Sequence, residues 1–158
     1  MRSALFASAI AGSIVFSGGW ALAQHAGHHG SHAAVTDSRE LVKFPPELVS
    51  HTLANMRDHL LALQEINEAL SRGETDKAAA ISEERLGMTS LRLHGAHEVA
   101  KYMPQGMQDA GSEMHRAASR FAIEAQNSGV TGDLKPALAA LSSVMTQCVG
   151  CHAGYRLK

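Results

Sequence analysis

Apolar residues recur at alternating steps of four and three after residue 45, which is the pattern of helices that bury one face. The first such segment begins at Pro45-Pro46, because proline is tolerated in the first turn of a helix, and ends at Gly73. The spacing predicts a first helix whose buried seam follows this apolar stripe. The stripe consists of Val49, Leu53, Met56, Leu60, Leu63 and Leu70.

A second helix is predicted from Asp76 to about Lys101. Thr75 precedes it and carries a hydroxyl of the kind that commonly caps a helix N-terminus. Gly87 lies inside this stretch and is expected to bend the helix, since glycine weakens a helix interior.

A third helix is predicted from Pro104 to near Gly129, and a fourth follows Asp133 as its cap. No segment shows the alternation that is typical of a strand. Four helices with short connections predict an all-α fold, an antiparallel up-down four-helix bundle over residues 44–158. The stripe of the third helix is Met107, Ala110, Met114, Ala117 and Phe121; that of the fourth is Leu134, Leu138, Leu141, Met145, Cys148, His152 and Tyr155.

The first 43 residues lack this pattern. Residues 1–23 combine a positive start, an apolar run and the A-x-A site Ala21-Leu22-Ala23, which predicts a cleaved signal peptide and a periplasmic location. A retained membrane anchor is the alternative, but no positive flank follows the apolar run. No other segment is apolar over the length of a bilayer, so no membrane association is expected after cleavage.

Residues 24–43 are predicted to form a disordered, His-rich linker. Imidazole binds both copper and zinc, so weak binding of either metal here is an open alternative to a solvated tether. The histidines of this linker are His25, His28, His29 and His32.

The composition indicates a folded domain with few aromatic residues and does not favour nucleic-acid binding. The net charge of −1 gives no argument for nucleic-acid binding, and 45% hydrophobic residues fit a folded domain. Beyond the predicted signal peptide only Phe44, Tyr102, Phe121 and Tyr155 are aromatic. Because aromatic side chains normally supply much of a core, either small residues pack the helices closely or a non-protein group fills the centre.

The chemistry lies near the C-terminus, where Cys148, Cys151 and His152 form the C-x-x-C-H motif for attachment of c-type haem. Two thiols at this spacing add to the two vinyl groups on one porphyrin edge, and the following imidazole then lies under the iron. A thioredoxin-like pair would sit beside a βαβ pattern, and a zinc site would need four ligands. A structural disulfide is a further alternative. The predicted cofactor is one covalent haem c. Its porphyrin would also supply apolar bulk to a core that has few aromatic side chains.

The motif continues as C-x-x-C-H-x-x-aromatic-Arg, with Tyr155 and Arg156 in the last two positions. In this and in its helix pattern the chain resembles the cytochrome c-prime family over residues 44–158. The resemblance implies a homodimer through the first helices, and it implies that Arg156 lies near His152 and a haem propionate. The alternatives are a plain surface arginine at position 156 and a core role for Tyr155.

The resemblance also implies that the residue facing the distal side of the iron comes from the first helix, where Met56 holds that position. A methionine ligand gives six-coordinate iron suited to electron transfer, and it raises the reduction potential. An apolar residue there would leave five-coordinate iron open to nitric oxide or carbon monoxide. A core methionine is the alternative role for Met56, and His59 is the competing ligand.

Other histidines and methionines are secondary candidates. His51 is expected to be exposed, and His115 is expected to flank the seam. His94 and His97 are one turn apart and could hold a metal, although a solvated pair is the simpler interpretation. Met103, Met107 and Met114 are expected to fill gaps in the core, and they are alternative axial ligands.

The predicted function is therefore one-electron transfer between periplasmic redox partner proteins by a His/Met-ligated haem, without enzyme activity. A five-coordinate protein that binds nitric oxide or carbon monoxide is the alternative. Metal handling by the His-rich linker is a third, weaker hypothesis. The sequence carries no G-x-S-x-G element or placed pair of carboxylates that would support catalysis.

Overall fold

Helices hold most of residues 36–158, the part of the chain that the computed structural model describes. The all-α prediction is confirmed at this level. The predicted signal peptide and the histidines of the linker lie outside the described residues. The elements are β1 (Glu40–Val42), α1 (Pro46–Ser71), α2 (Thr75–Arg85), a 3₁₀ helix (Met88–Arg92), α3 (Ala96–Ala100), α4 (Gln105–Thr131), α5 (Lys135–Gly154) and β2 (Tyr155–Leu157).

The first helix has the predicted ends, and its buried face follows the predicted seam only in part. It begins after Pro45 and stops before Gly73, whose φ of 73° suits glycine. Leu53 and Leu60 of the predicted seam are 44% and 70% exposed. The seam prediction is therefore wrong at Leu60. Leu70 is buried as predicted and Leu63 packs against the core. In the first half of the helix, Val49, Leu53 and Met56 line a cavity. The buried residues of α1 are Thr52, His59, Ala62, Ile66, Ala69 and Leu70.

The second predicted helix is three separate elements. Its continuous part ends at Arg85, and the rest is the 3₁₀ helix and the short α3. Gly87 does more than bend the chain, because its backbone is extended (φ −74°, ψ −176°). Gly95 adds a second break, with a left-handed φ of 60°.

The predicted cap of the second helix was also wrong. Thr75 is the first residue of α2, preceded by Glu74 as N-cap, and no side-chain hydrogen bond caps this end. Thr75 is buried instead.

The last two long helices follow the prediction within a few residues. α4 begins after Pro104 and extends to Thr131, where Gly132 adopts a φ of 75°. The Asp133 carboxylate accepts a hydrogen bond from the backbone N–H of Lys135 at 3.0 Å. Asp133 lies one residue before the N-cap of α5, which is Leu134.

Two short strands were not predicted. β1 and β2 pair in parallel, with Leu41 opposite Arg156 and Val42 opposite Leu157. Three residues are too few for strand alternation to appear in a sequence. The pairing places Glu40–Val42, within the predicted linker, beside the residues that follow the C-x-x-C-H motif, and Val42 is buried.

Small side chains make the core. α4 packs against both α2 and α5, and α1 packs against α2. Phe121 is the one aromatic residue buried among the described residues, beside Ile66, Leu86 and Val144. Alanine at a helix contact lets backbones approach closely, so the aromatic shortage is met at least in part by close packing. The buried alanines are Ala62, Ala69, Ala78, Ala79, Ala117, Ala118, Ala122, Ala125 and Ala137.

None of the helices within residues 36–158 combines the length and apolarity needed to cross a membrane.

We expect Gly87→Ala to destabilise the fold by about 1–3 kcal/mol, the usual cost of overpacking. A Cβ at this buried position would lie 2.8 Å from the backbone oxygen of Glu83. Gly150→Ala is the control, because a Cβ there meets nothing within 4 Å and α5 continues through it. That change should stabilise the helix by about 0.5–1 kcal/mol. Urea unfolding of both variants measures the difference; equal stabilities would contradict the packing argument.

Candidate functional site

A cavity of about 580 Å³ is lined by α1, by the connector between α2 and α4, by α4, and by the C-terminal end of the chain. This volume lies within the roughly 300–1,000 Å³ typical of cofactor and ligand sites. Arg39, which precedes α1, also lines it, so five parts of the chain contribute to the wall and the cavity brings together residues that are distant in sequence.

The C-x-x-C-H motif occupies the end of α5. Cys151 and His152 line the cavity. Cys148 packs instead against the core, and its thiol donates to the backbone oxygen of Val144 at 3.5 Å. Both cysteines are free thiols, and burial raises the pKa of each. The two thiols are therefore protonated at neutral pH and unpaired, which does not favour the structural-disulfide alternative.

Methionine sulfur is abundant around the same cavity. Met56 on α1 is half-buried and lines it, as do Met103, Met107 and Met114. Met56, on the first helix, and His152, near the C-terminus, therefore line the same cavity. A role for Met56 as iron ligand stays a prediction.

Tyr155 and Arg156 also line the cavity. The Tyr155 hydroxyl lies against the α4 backbone, where a Cβ on Gly106 would be 2.5 Å from it. The Arg156 Nε is buried without a hydrogen bond, and it lies 3.4 Å from an Asp37 carboxylate oxygen. A cationic group with an unsatisfied N–H beside a cavity is suited to an anionic partner.

Arg39 is a cavity residue that the sequence analysis missed. Its guanidinium is bound by Asp37 at 2.9 and 2.8 Å, and its Nη1 donates to the backbone oxygen of His152 at 3.3 Å. The Arg39 guanidinium lowers the pKa of Asp37 to about 2. Arg39 stands in the predicted linker, where no sequence signal indicated a contact with the motif 113 residues later.

Three histidines from three elements meet at the cavity wall: His59 of α1, His94 of the connector and His115 of α4. Their ring centroids are 4.6 Å (His59–His94), 5.4 Å (His94–His115) and 6.2 Å (His59–His115) apart. His59 is 8% exposed and His115 is 7% exposed. The expectation that His115 only flanks the seam was wrong, because α4 turns this residue inward.

Burial keeps these three imidazoles neutral. Desolvation is the main cause that lowers the pKa of His59, to about 4, and it also lowers the pKa of His94 and of His115. His59 Nε2 and His94 Nδ1 are buried without a hydrogen-bond partner. The His115 Nδ1 lies 2.7 Å from the Leu86 backbone oxygen, to which it donates.

The other two candidate histidines lie away from this cluster. His97 is exposed, so the structure separates it from His94, which borders the cavity. His51 was expected to be exposed but is half-buried, with its Nε2 3.0 Å from the backbone oxygen of His94. The Asn55 side chain donates to the same oxygen at 3.2 Å, so α1 holds the His94 backbone from two positions.

An ion-pair network supports α1 next to His59. Arg85 at the end of α2 binds the carboxylates of Asp58 and Glu65, and it donates to the Asp58 backbone oxygen at 3.1 Å. This bidentate pairing lowers the pKa of Asp58 and fixes α1 against α2 at the level of the histidine cluster.

Within residues 36–158, no three His, Cys, Asp or Glu side chains are already arranged so that they could hold a metal ion. Comparison with known proteins finds no matching family model, no matching curated protein and no matching solved structure.

We expect the stability of the fold to fall as the pH decreases from 7 to 4. The unfolded chain protonates His59 near its ordinary pKa of 6.5, whereas the folded chain does so only near 4. The unfolded chain therefore binds more protons in this interval, and the depressed pKa of His59 alone corresponds to a loss of about 3 kcal/mol.

Urea unfolding at several pH values between 4 and 7.5 measures this effect. His59→Gln should reduce the pH dependence, while His97→Gln, at an exposed position, should keep it. An unchanged slope in His59→Gln would assign the titration to another group.

Proposed function

We propose that this protein is an exported monohaem c-type cytochrome that carries one electron, with His152 and Met56 as the axial ligands of its iron. One observation carries the proposal: Cys151 and His152 of the attachment motif border the same cavity as Met56 of α1. Met56 and Cys151, which are 95 positions apart in the sequence, can therefore contact the same bound group.

The residues around the cavity fit a haem. The volume is suited to a cofactor, the two cysteines of the motif are free, and His152 follows them on the cavity wall. When bound, haem supplies an iron that gains and loses one electron. Attachment at both thiols requires the Cys148 side chain to leave its hydrogen bond to Val144 and turn toward the cavity.

The protein's contribution is to fix and tune this group. His152 is held through its backbone oxygen by Arg39, and Met56 is a thioether ligand that raises the reduction potential. Arg39 and Arg156 place two guanidinium groups at the cavity, which suits the propionates of a haem. Asp37, which binds Arg39 and faces Arg156, would then compete with the propionates for both.

The helix arrangement, the location and the oligomeric state are part of the same proposal. The four long helices α1, α2, α4 and α5 form an antiparallel four-helix bundle around the cofactor in the manner of the cytochrome c-prime family. Its location is the periplasm, where redox partner proteins exchange the electron. Leu60 and Leu61, which are exposed on α1, support the homodimer through the first helices that the resemblance implies.

Visible absorption spectra of the oxidised and reduced protein, with and without carbon monoxide, test the proposal. We expect low-spin bands, a weak far-red band from sulfur to ferric iron, and no reaction with carbon monoxide. A high-spin spectrum that shifts with carbon monoxide would instead establish the five-coordinate, gas-binding alternative. Absence of covalent haem would contradict both.

Met56→Ala should convert the spectrum from low-spin to high-spin and make the protein reactive toward carbon monoxide. The physical reason is that alanine offers no donor atom at the sixth position. Met145→Ala is the matched control, since Met145 is exposed on α5 and does not border the cavity. A Met56→Ala protein that keeps low-spin bands would transfer the assignment to His59 or another methionine.

A further inference from the structure

We propose that His59, His94 and His115 form a second metal site, which binds one divalent first-row transition-metal ion and is separate from the C-x-x-C-H motif. The site uses one residue each from α1, from the connector after α2 and from α4. It does not depend on haem ligation by Met56.

The spacing of the three rings suits a shared ion. Imidazole nitrogen binds Zn²⁺ at about 2.0–2.1 Å, which places the ring centres of three ligands roughly 5 Å from one another around a tetrahedral ion. The observed separations of 4.6, 5.4 and 6.2 Å bracket this value. Only the His59–His115 pair has to approach.

The cluster also has nitrogen atoms to offer. His59 Nε2 and His94 Nδ1 are buried and have no hydrogen-bond partner, which is rare for native polar atoms. His115 donates its Nδ1–H to the Leu86 backbone oxygen at 2.7 Å, so its Nε2 keeps the lone pair. A ligating histidine is commonly oriented by such a bond from its other nitrogen to a carbonyl.

The protonation state agrees with this geometry. Neutral imidazole is the ligating form, and burial keeps all three rings neutral. The carboxylate of Asp58, next in sequence to His59, supplies a nearby negative charge that lowers the cost of holding a cation here. Arg85 partly offsets this charge because it pairs with Asp58.

Binding includes a rotation of the rings, because the three side chains are not yet in coordination geometry. Rotation of His59 and His94 breaks no hydrogen bond at their unpartnered nitrogens. All three residues border the cavity, so a fourth coordination position would face its interior. Three histidines with an open fourth position are typical of zinc sites that act on a bound water or substrate, and imidazole also suits copper and iron.

Zn²⁺ is the probe, because its X-ray absorption edge is separate from that of haem iron. The full haem-loaded chain is used, with its linker histidines replaced (His25→Ala, His28→Ala, His29→Ala and His32→Ala), so that this segment does not bind the ion. Equilibrium dialysis should retain one Zn²⁺ per chain. The absorption fine structure should show about three imidazole nitrogens at about 2.0–2.1 Å.

His94→Gln should weaken Zn²⁺ retention at least tenfold, whereas His97→Gln should leave it unchanged. The two positions are three residues apart, and His97 is exposed. Circular dichroism and the haem spectrum of each variant check that it folds. If His94→Gln is unstable, the X-ray absorption fine structure of the protein with all three histidines intact still shows whether three imidazoles bind the Zn²⁺.

Retention of less than one Zn²⁺ per chain, or a shell dominated by oxygen, would overturn the proposal and leave the two unpartnered nitrogens to ordered water. A ferric haem with two imidazole ligands, converted to another form by His59→Gln, would overturn it too, since His59 would then belong to the iron. Low-spin His/Met haem with no bound Zn²⁺ would refute this inference alone.

Discussion

The interruption of the second helix at Gly87 and Gly95 is the constraint on which the cavity depends. A continuous helix from residue 76 to 101 would have packed as a rod along its neighbours. Instead the extended backbone at Gly87 and the left-handed turn at Gly95 fold residues 88–104 into a connector that forms one wall of the cavity. The His51 ring lies where a Cβ on Gly95 would come within 3.1 Å of its Nε2, so glycine also permits this close approach.

Close packing by alanine explains how so few aromatic residues suffice elsewhere. α2, α4 and α5 meet through small side chains, and a buried hydrogen bond from the Ser82 hydroxyl to the Ala118 backbone oxygen at 3.0 Å joins α2 to α4. On α1, Leu60 and Leu61 are left exposed. The helix buries Ala62, Ala69 and His59, and Arg85 fixes its orientation through Asp58.

The ends of α1 and the start of α4 were predictable from the sequence because they depend on local residues, namely Pro45, Gly73 and Pro104. The buried face of α1 was predictable only in part, since which side of a helix packs depends on its partners and small residues such as Ala62 and Ala69 carry little periodic signal. The contact of Arg39 with His152 and the meeting of His59 with His115 depend on long-range placement. The residues of the motif were found from spacing alone, but only the structure shows that Cys148 faces the core while Cys151 faces the cavity.

The cavity combines two kinds of donor that differ in chemical preference. Sulfur comes from Met56, Met103 and Met107, and nitrogen comes from the cluster of His59, His94 and His115. A thioether stabilises reduced, softer metal centres, whereas neutral imidazole suits divalent ions, so the two sets need not compete for one ion. His59 and His94 each bury a ring nitrogen without a hydrogen-bond partner, which costs free energy. That cost is recovered if the cluster binds its own ion, in the same cavity that we propose holds the haem.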